Sequence, residues 1–170
     1  MNAVNPIDPN VAPKTPRCAR PPRELVSSTA HLLKRLGWSI KERSLEAFEG
    51  TGVSPMHYGV LVLLEEDPRE TQGTIADALG YDRSHLVGLL DELEEAGLVE
   101  RRRDPEDRRR HLVTLTSDGR KALTKLRGIA KRLEDEFLAP LDADQRATLH
   151  AILLQLAAAH DERYAPNGSA

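Results

Sequence analysis

Apolar side chains recur every three or four residues over most of the chain, which predicts a mainly helical protein. The first apolar stripe begins at Leu25 and extends towards Phe48. Ser54 and Pro55 then predict a new helix, because serine caps a helix and proline suits its first turn. The apolar positions of this helix are Met56, Tyr58, Leu61, Val62 and Leu64. Pro68 is expected to end it.

Two helices separated by a tight turn follow. Thr71 is predicted to cap a short helix, and Gly80 follows it. Asp82 or Ser84 is predicted to cap a longer helix that ends at Gly97. The inward positions are Ile75, Ala76 and Leu79 in the short helix and Leu86, Leu89, Leu90 and Leu93 in the longer one.

The pattern then changes to strands. Residues 98–102 and 111–116 predict two short strands, and Asp104 and Pro105 signal a turn between them. The pair therefore predicts a β-hairpin. Two amphipathic helices close the chain, one from about Thr116 or Ser117 to Phe137 and one capped by Asp142 that runs to His160. We expect these helices to pack against the first helix and against a second copy of the chain.

The N-terminal residues 1–24 have a different composition. They hold six of the eleven prolines and several arginines, which indicates a disordered basic arm. The whole chain of 170 residues has a net charge of −3 and a single cysteine, Cys18, so it contains no internal disulfide. The two longest uncharged runs, residues 50–64 and 147–160, are shorter than the about 20 residues of a membrane span. We expect a cytoplasmic protein with no membrane association.

The order helix, short helix, tight turn, longer helix and hairpin is that of a winged helix-turn-helix. Three stretches carry a closer resemblance: residues 71–80 (TQGTIADALG), 82–101 (DRSHLVGLLDELEEAGLVER) and 104–116 (DPEDRRRHLVTLT). They are similar to the multiple antibiotic resistance regulator (MarR) family of bacterial transcription factors, and the helix layout extends the likeness over residues 25–160.

This resemblance implies a mostly α fold with a small β-hairpin wing, and it implies three regions. The arm is residues 1–24, the winged helix-turn-helix domain is residues 25–160, and the tail is residues 161–170. Within the domain, the DNA-binding lobe spans about 54–116. The dimerisation helices span about 25–48 and 117–160. The resemblance further implies a homodimeric repressor that binds a near-palindromic double-stranded operator and is released by a small molecule.

The wing is strongly basic. Residues 101–111 contain six arginines and three acidic residues, a local net charge of +3. The resemblance places Arg109 in the minor groove, with Asp107 holding its guanidinium. Arg108 and Arg110 are expected to contact phosphates or the flanks. A solvated charged hairpin is the alternative interpretation.

The longer helix supplies the residues expected to face the major groove. Arg83 is a candidate for guanine, Ser84 for a phosphate, and His85 for a base edge or a phosphate. Val87 is a candidate for a thymine methyl group, and the family often has a polar residue there and an arginine in place of Gly88. Gly88 lowers helix stability but allows close backbone approach to DNA. Thr71 and Gln72, at the start of the short helix, complete the candidate DNA-binding set.

The acidic residues Asp91, Glu92, Glu94 and Glu95 are expected to lie at the solvated far end of that helix, paired in part with nearby arginines. A small molecule, such as a phenolic acid in the family, would be expected beside Trp38, Met56, His57 and Tyr58. All four side chains fit a core role equally well.

No set of residues predicts catalysis, and we expect neither an enzyme nor a cofactor. No histidine pair has a metal-ligand spacing, so no metal site is predicted. Two alternatives to a ligand-released repressor stay open. One is a redox-responsive regulator that uses Cys18, whose flanking arginines favour a thiolate. The other is a winged-helix module that binds proteins rather than DNA.

Overall fold

The computed structural model describes residues 20–66, 70–104 and 111–165. Contacts divide the chain into two units, residues 1–38 and 39–170. The helices are α1 (Arg23–Ser27), α2 (Thr29–Phe48), α3 (Pro55–Glu66), α4 (Gln72–Leu79), α5 (Arg83–Glu95), α6 (Ser117–Phe137) and α7 (Ala143–His160). The strands are β1 (Glu70–Thr71), β2 (Val99–Arg103) and β3 (His111–Leu115), and a 3-10 turn spans Glu162–Tyr164.

The first helical segment is interrupted, whereas its apolar stripe predicts one continuous helix. Ser28 is extended (φ −87°, ψ 111°) and separates α1 from α2. Its Oγ accepts the N–H of His31 at 3.2 Å, so the serine caps the start of α2. A capping serine thus divides the helix without interrupting the apolar stripe.

The predicted caps of the later helices are confirmed. Thr71 caps α4, Asp82 caps α5 and Asp142 caps α7, each through a side-chain oxygen that accepts a backbone N–H. Thr116 caps α6 in the same way. Gly80 follows α4 with φ +65°, a left-handed conformation that glycine adopts without strain, and this sets the turn between α4 and α5.

The predicted hairpin is confirmed as part of a three-stranded antiparallel sheet in the order β1-β3-β2. Val99 pairs with Leu115 at one end of the hairpin and Arg103 pairs with His111 at the other. The short strand β1 pairs Thr71 with Leu112 on the other side of β3. The sheet therefore joins the hairpin to the start of α4.

The core lies among α3, α4, α5, α6 and the sheet. Its largest fully buried side chains are Leu61, Leu64, Ile75, Leu86, Leu90, Leu93, Leu123, Val60, Val99 and Val113. The predicted inward leucines of α5 are all buried. In contrast, none of the residues of α7 is buried. Among the described helices, none combines the length and apolar content needed to cross a membrane.

Candidate DNA-binding interface

The start of α5 is fixed by one carboxylate. The Asp82 side chain accepts the backbone N–H groups of Ser84 at 2.9 Å and His85 at 3.2 Å, and the Ser84 hydroxyl also donates to it. The hydrogen bond from the Ser84 side chain, together with these N–H groups, lowers the pKa of Asp82. The ionised carboxylate therefore caps the helix, and Ser84 takes part in that cap.

One face of α5 is open to solvent. Arg83, Ser84, His85, Val87 and Gly88 are all exposed, whereas the leucines on the opposite face are buried. An added Cβ at Gly88 would meet nothing within 4 Å, so the backbone there is accessible. Arg83 lies 3.4 Å from Asp77 of α4, measured from Nη2 to Oδ1. The first two turns of α5 thus present a largely polar face that is not buried by the described residues.

Thr71 and Gln72 lie at the start of α4 and are partly buried. The Thr71 hydroxyl accepts the N–H of Thr74 at 3.2 Å, and the Thr74 hydroxyl accepts the N–H of Thr71 at 2.8 Å. These bonds form a reciprocal capping box. The polar atoms of Thr71 therefore serve the helix start.

The base of the hairpin is held against α5. Nη1 of Arg101 lies 2.6 Å from Oδ1 of Asp91 and 3.4 Å from Oε2 of Glu94. Arg102 and Arg103 are exposed, and Arg102 pairs with Glu100 on its own strand at 2.8 Å. The predicted wing residues Asp107, Arg108, Arg109 and Arg110 lie outside the described residues.

The acidic end of α5 is exposed and partly paired, as its sequence predicts. Asp91 and Glu94 pair with an arginine of the hairpin. Glu92 has a partner that the sequence reasoning missed, because its Oε2 lies 3.2 Å from Nε2 of the buried His57. His57 shares the helical spacing of Val60, Leu61 and Leu64, and that spacing is the signal that places it on the core side of α3.

His57 is held in one tautomer by its neighbours. Its Nδ1 accepts the backbone N–H of Ser54 at 3.0 Å and therefore carries no proton. Its Nε2 faces Glu92 but makes no hydrogen bond of regular geometry to any described residue. Burial lowers the pKa of His57, and this effect outweighs the opposing attraction of the Glu92 carboxylate. The ring is thus kept neutral inside the lobe.

The four predicted ligand-pocket residues lie in different surroundings. Trp38 is 59% exposed on α2, whereas Met56 and Tyr58 pack against the core. The Tyr58 ring lies 5.7 Å from that of Phe48. His57 lines a groove of about 580 Å³, together with residues such as Leu45, Phe48, Val53 and Glu92. Of Met56, His57 and Tyr58, only His57 lines this groove.

The two remaining candidate chemistries are a redox role for Cys18 and the binding of a metal ion. Cys18 lies outside the described residues. Within the described ranges, no group of three or more histidine, cysteine or acidic side chains is arranged to hold a metal ion.

The fold and the exposed face of α5 define a winged helix-turn-helix, DNA-binding type of protein, and comparisons with known proteins agree. The MarR family model matches residues 51–110. The chain is 33% identical over 129 residues to a transcriptional regulatory protein for the hcr operon from Thauera aromatica, covering 71% of this chain and 78% of that protein. The chain belongs to the MarR family and is a transcriptional regulator.

Solved structures show the same architecture. The transcriptional repressor CouR bound to a 23-mer DNA duplex matches with a TM-score of 0.74 and 35% identity, over 79% of this chain and 96% of that one. CouR from Rhodococcus jostii RHA1 bound to p-coumaroyl-CoA matches with a TM-score of 0.71 and 28% identity, over 88% and 100% of the two chains. These relatives are regulators rather than enzymes.

Proposed function

We propose that this protein is a cytoplasmic homodimeric repressor that binds a near-palindromic operator and leaves it when a small molecule binds. The observation that carries the proposal is the exposed polar face of α5, which lies next to a basic hairpin. A helix fits the major groove, where each base pair has its own pattern of donors and acceptors. A basic wing fits the adjacent minor groove.

In this proposal Arg83 reads a base, while Ser84 and His85 contact phosphates or base edges. Val87 and Gly88 lie close to the bases, and Thr71 and Gln72 lie near the backbone of the DNA. Arg109, held by Asp107, enters the minor groove, and Arg108 and Arg110 contact its flanks. The similarity to CouR bound to a DNA duplex supports this mode of binding.

The homodimer is supported by apolar side chains that one chain leaves exposed. On α7, Ile152 is 50% exposed and Leu156 is 42% exposed, and no residue of this helix is buried within one chain. On α2, Leu32 and Leu36 are 44% and 53% exposed. Exposed apolar surface of this extent is typical of interfaces. We assign dimerisation to residues 25–48 and 117–160 and DNA binding to residues 54–116.

Two copies would place two α5 helices about one DNA turn apart, roughly 34 Å, which matches the half-sites of a palindrome. The arm, residues 1–24, and the tail, residues 161–170, flank the folded domain in this scheme.

The effector we propose is an aromatic acid or its thioester. The structural neighbour that binds p-coumaroyl-CoA supports this class.

A binding titration tests the proposal. The purified protein is titrated against a labelled duplex from upstream of its own gene and against a shuffled duplex of the same composition. We expect the upstream duplex to bind at least about 1,000-fold more tightly, as specific operators commonly do. Equal binding to both duplexes would contradict sequence-specific recognition, and no binding to either would favour a protein-interaction module.

A further inference from the structure

Arg101 occupies a position that strand alternation assigns to an apolar side chain. It follows Val99 by two residues on β2, so both lie on the face that packs against α5. Val99 is 2% exposed, and the Arg101 side chain is 18% exposed. A charged side chain therefore runs along the junction between the hairpin and α5.

The guanidinium contacts three residues of α5 that are spread over about two helical turns. Nη1 lies 2.6 Å from Oδ1 of Asp91 and 3.4 Å from Oε2 of Glu94, and Nη2 donates to the carbonyl of Val87 at 3.4 Å. The backbone N–H of Arg101 also donates to Oε1 of Glu94 at 3.1 Å. Val87, Asp91 and Glu94 follow one another at spacings of four and three on one helix face. Arg101 of the hairpin thus contacts α5 along most of its length.

We propose that Arg101 is a positioning residue that sets the orientation of the hairpin relative to α5, so that the helix and the wing reach adjacent grooves together. This inference rests on the proposed function. The planar fork of arginine binds several acceptors in fixed directions, which a lysine ammonium does not do. The contacts of Arg101 therefore fix the direction in which the hairpin lies on α5, as well as attracting the two elements to each other.

A contribution to folding stability does not by itself account for an arginine at position 101. Nε of Arg101 is buried without a hydrogen-bond partner within the described residues. An unpaired buried N–H is destabilising, and partly buried ion pairs are often replaced by apolar side chains without loss of stability. A methionine would retain the packing of the stem and lose the directional contacts.

The matched variants are Arg101→Met and Arg102→Met. Both remove one positive charge from the same strand, but Arg102 pairs with Glu100 of β2 instead of reaching α5. Operator affinity is measured for wild type and for both variants, each with and without Arg109→Ala, at a temperature well below every unfolding midpoint. We expect Arg109→Ala to weaken binding at least tenfold in wild type and in Arg102→Met, but less than threefold in Arg101→Met.

An equal loss in all three backgrounds would overturn the positioning role. If Arg109→Ala has no effect in wild type, the proposed wing contact fails, and a second measurement decides on Arg101. Residual dipolar couplings of the backbone amides give the angle between α5 and the hairpin in the protein without DNA. We expect this angle to change in Arg101→Met and to stay unchanged in Arg102→Met. An unchanged angle in Arg101→Met would reject the proposal independently of DNA binding.

Discussion

Nε2 of His57 lies 3.2 Å from Oε2 of Glu92, and this contact joins a buried side chain of α3 to the acidic half of α5. On the opposite side of its ring, His57 accepts the N–H of Ser54 at the start of α3. One neutral imidazole therefore links the start of α3 to the helix expected to read DNA. A proton on Nδ1 would remove the acceptor that Ser54 uses.

This geometry predicts a pH dependence of folding stability. Because the pKa of His57 is lowered from 6.5 in the folded protein, the unfolded chain binds the proton more readily. The stability that the neutral His57 side chain contributes is therefore fully present above about pH 6.5 and is lost as the pH falls below that value. In the variant His57→Asn, Oδ1 can still accept the Ser54 N–H but does not titrate. We expect the decline in unfolding free energy between pH 7 and pH 5 to be shallower in this variant, by at most about 1.4 kcal/mol per pH unit.

The control for this measurement is His111→Asn, which removes an exposed histidine from the same lobe. It is expected to retain the wild-type dependence. An identical decline in His57→Asn and wild type, measured by urea unfolding across the pH series, would show that another group causes it.

A second prediction concerns the ion pair between Arg83 and Asp77. The two side chains are 75% and 69% exposed, so the pair contributes little to stability. The pair does occupy the guanidinium that we expect to contact a base, and in the proposed complex it would place the Asp77 carboxylate beside the DNA. Asp77→Asn is therefore expected to tighten operator binding about twofold to fivefold, measured by fluorescence anisotropy.

The control removes the same charge elsewhere. Asp118 pairs with Lys121 at the start of α6, so Asp118→Asn changes the net charge equally without freeing Arg83. If both variants tighten binding to the same extent, net charge rather than Arg83 explains the gain.

The helical caps and the buried leucines of α5 are predictable from the sequence because they depend on local rules. Asp82 caps α5 through backbone groups two and three residues away. Leu86, Leu90 and Leu93 follow the helical period and are buried. Such features need no knowledge of distant parts of the chain.

Other features depend on long-range contacts and were missed. The strand Glu70–Thr71 has only two residues, which is too short to show alternation, and it exists because it pairs with β3. Arg101 is one of several arginines in a basic run, and only the packing of β2 on α5 distinguishes it. The partner of His57 lies 35 positions away along the chain. Tertiary contacts of this kind leave no local pattern.

A third prediction compares two glycines that both have open space around them. Gly88 lies within α5, where glycine lowers helix stability, so Gly88→Ala is expected to raise the free energy of unfolding by about 1 kcal/mol. Gly97 has a φ of +70°, which is strained for alanine. Gly97→Ala is therefore expected to lower stability by about 1–2 kcal/mol. Urea unfolding of both variants measures the difference, and a stability loss in Gly88→Ala would show that contacts from outside the described residues constrain its backbone.

A fourth prediction tests the proposed dimer. Ile152 is half exposed on α7, so a charge there would be tolerated in one chain but would be buried in a dimer. Ile152→Glu is expected to halve the mass measured by light scattering and to weaken operator binding. The control is Ala147→Glu, which adds the same charge at an exposed position of α7 that lies on a different face from Ile152. A mass in Ile152→Glu equal to that of wild type would exclude this face of α7 from the interface.

The central claim is that the protein recognises DNA through α5 and a basic wing, and a salt titration with Arg109→Ala tests it most directly. Each phosphate neutralised by the protein contributes about −0.9 to the slope of log affinity against log salt. We predict a steep slope for wild type on the upstream duplex, and binding at least about tenfold weaker for Arg109→Ala at every salt concentration. Equal affinities for the two proteins, with a shallow dependence on salt, would contradict the account.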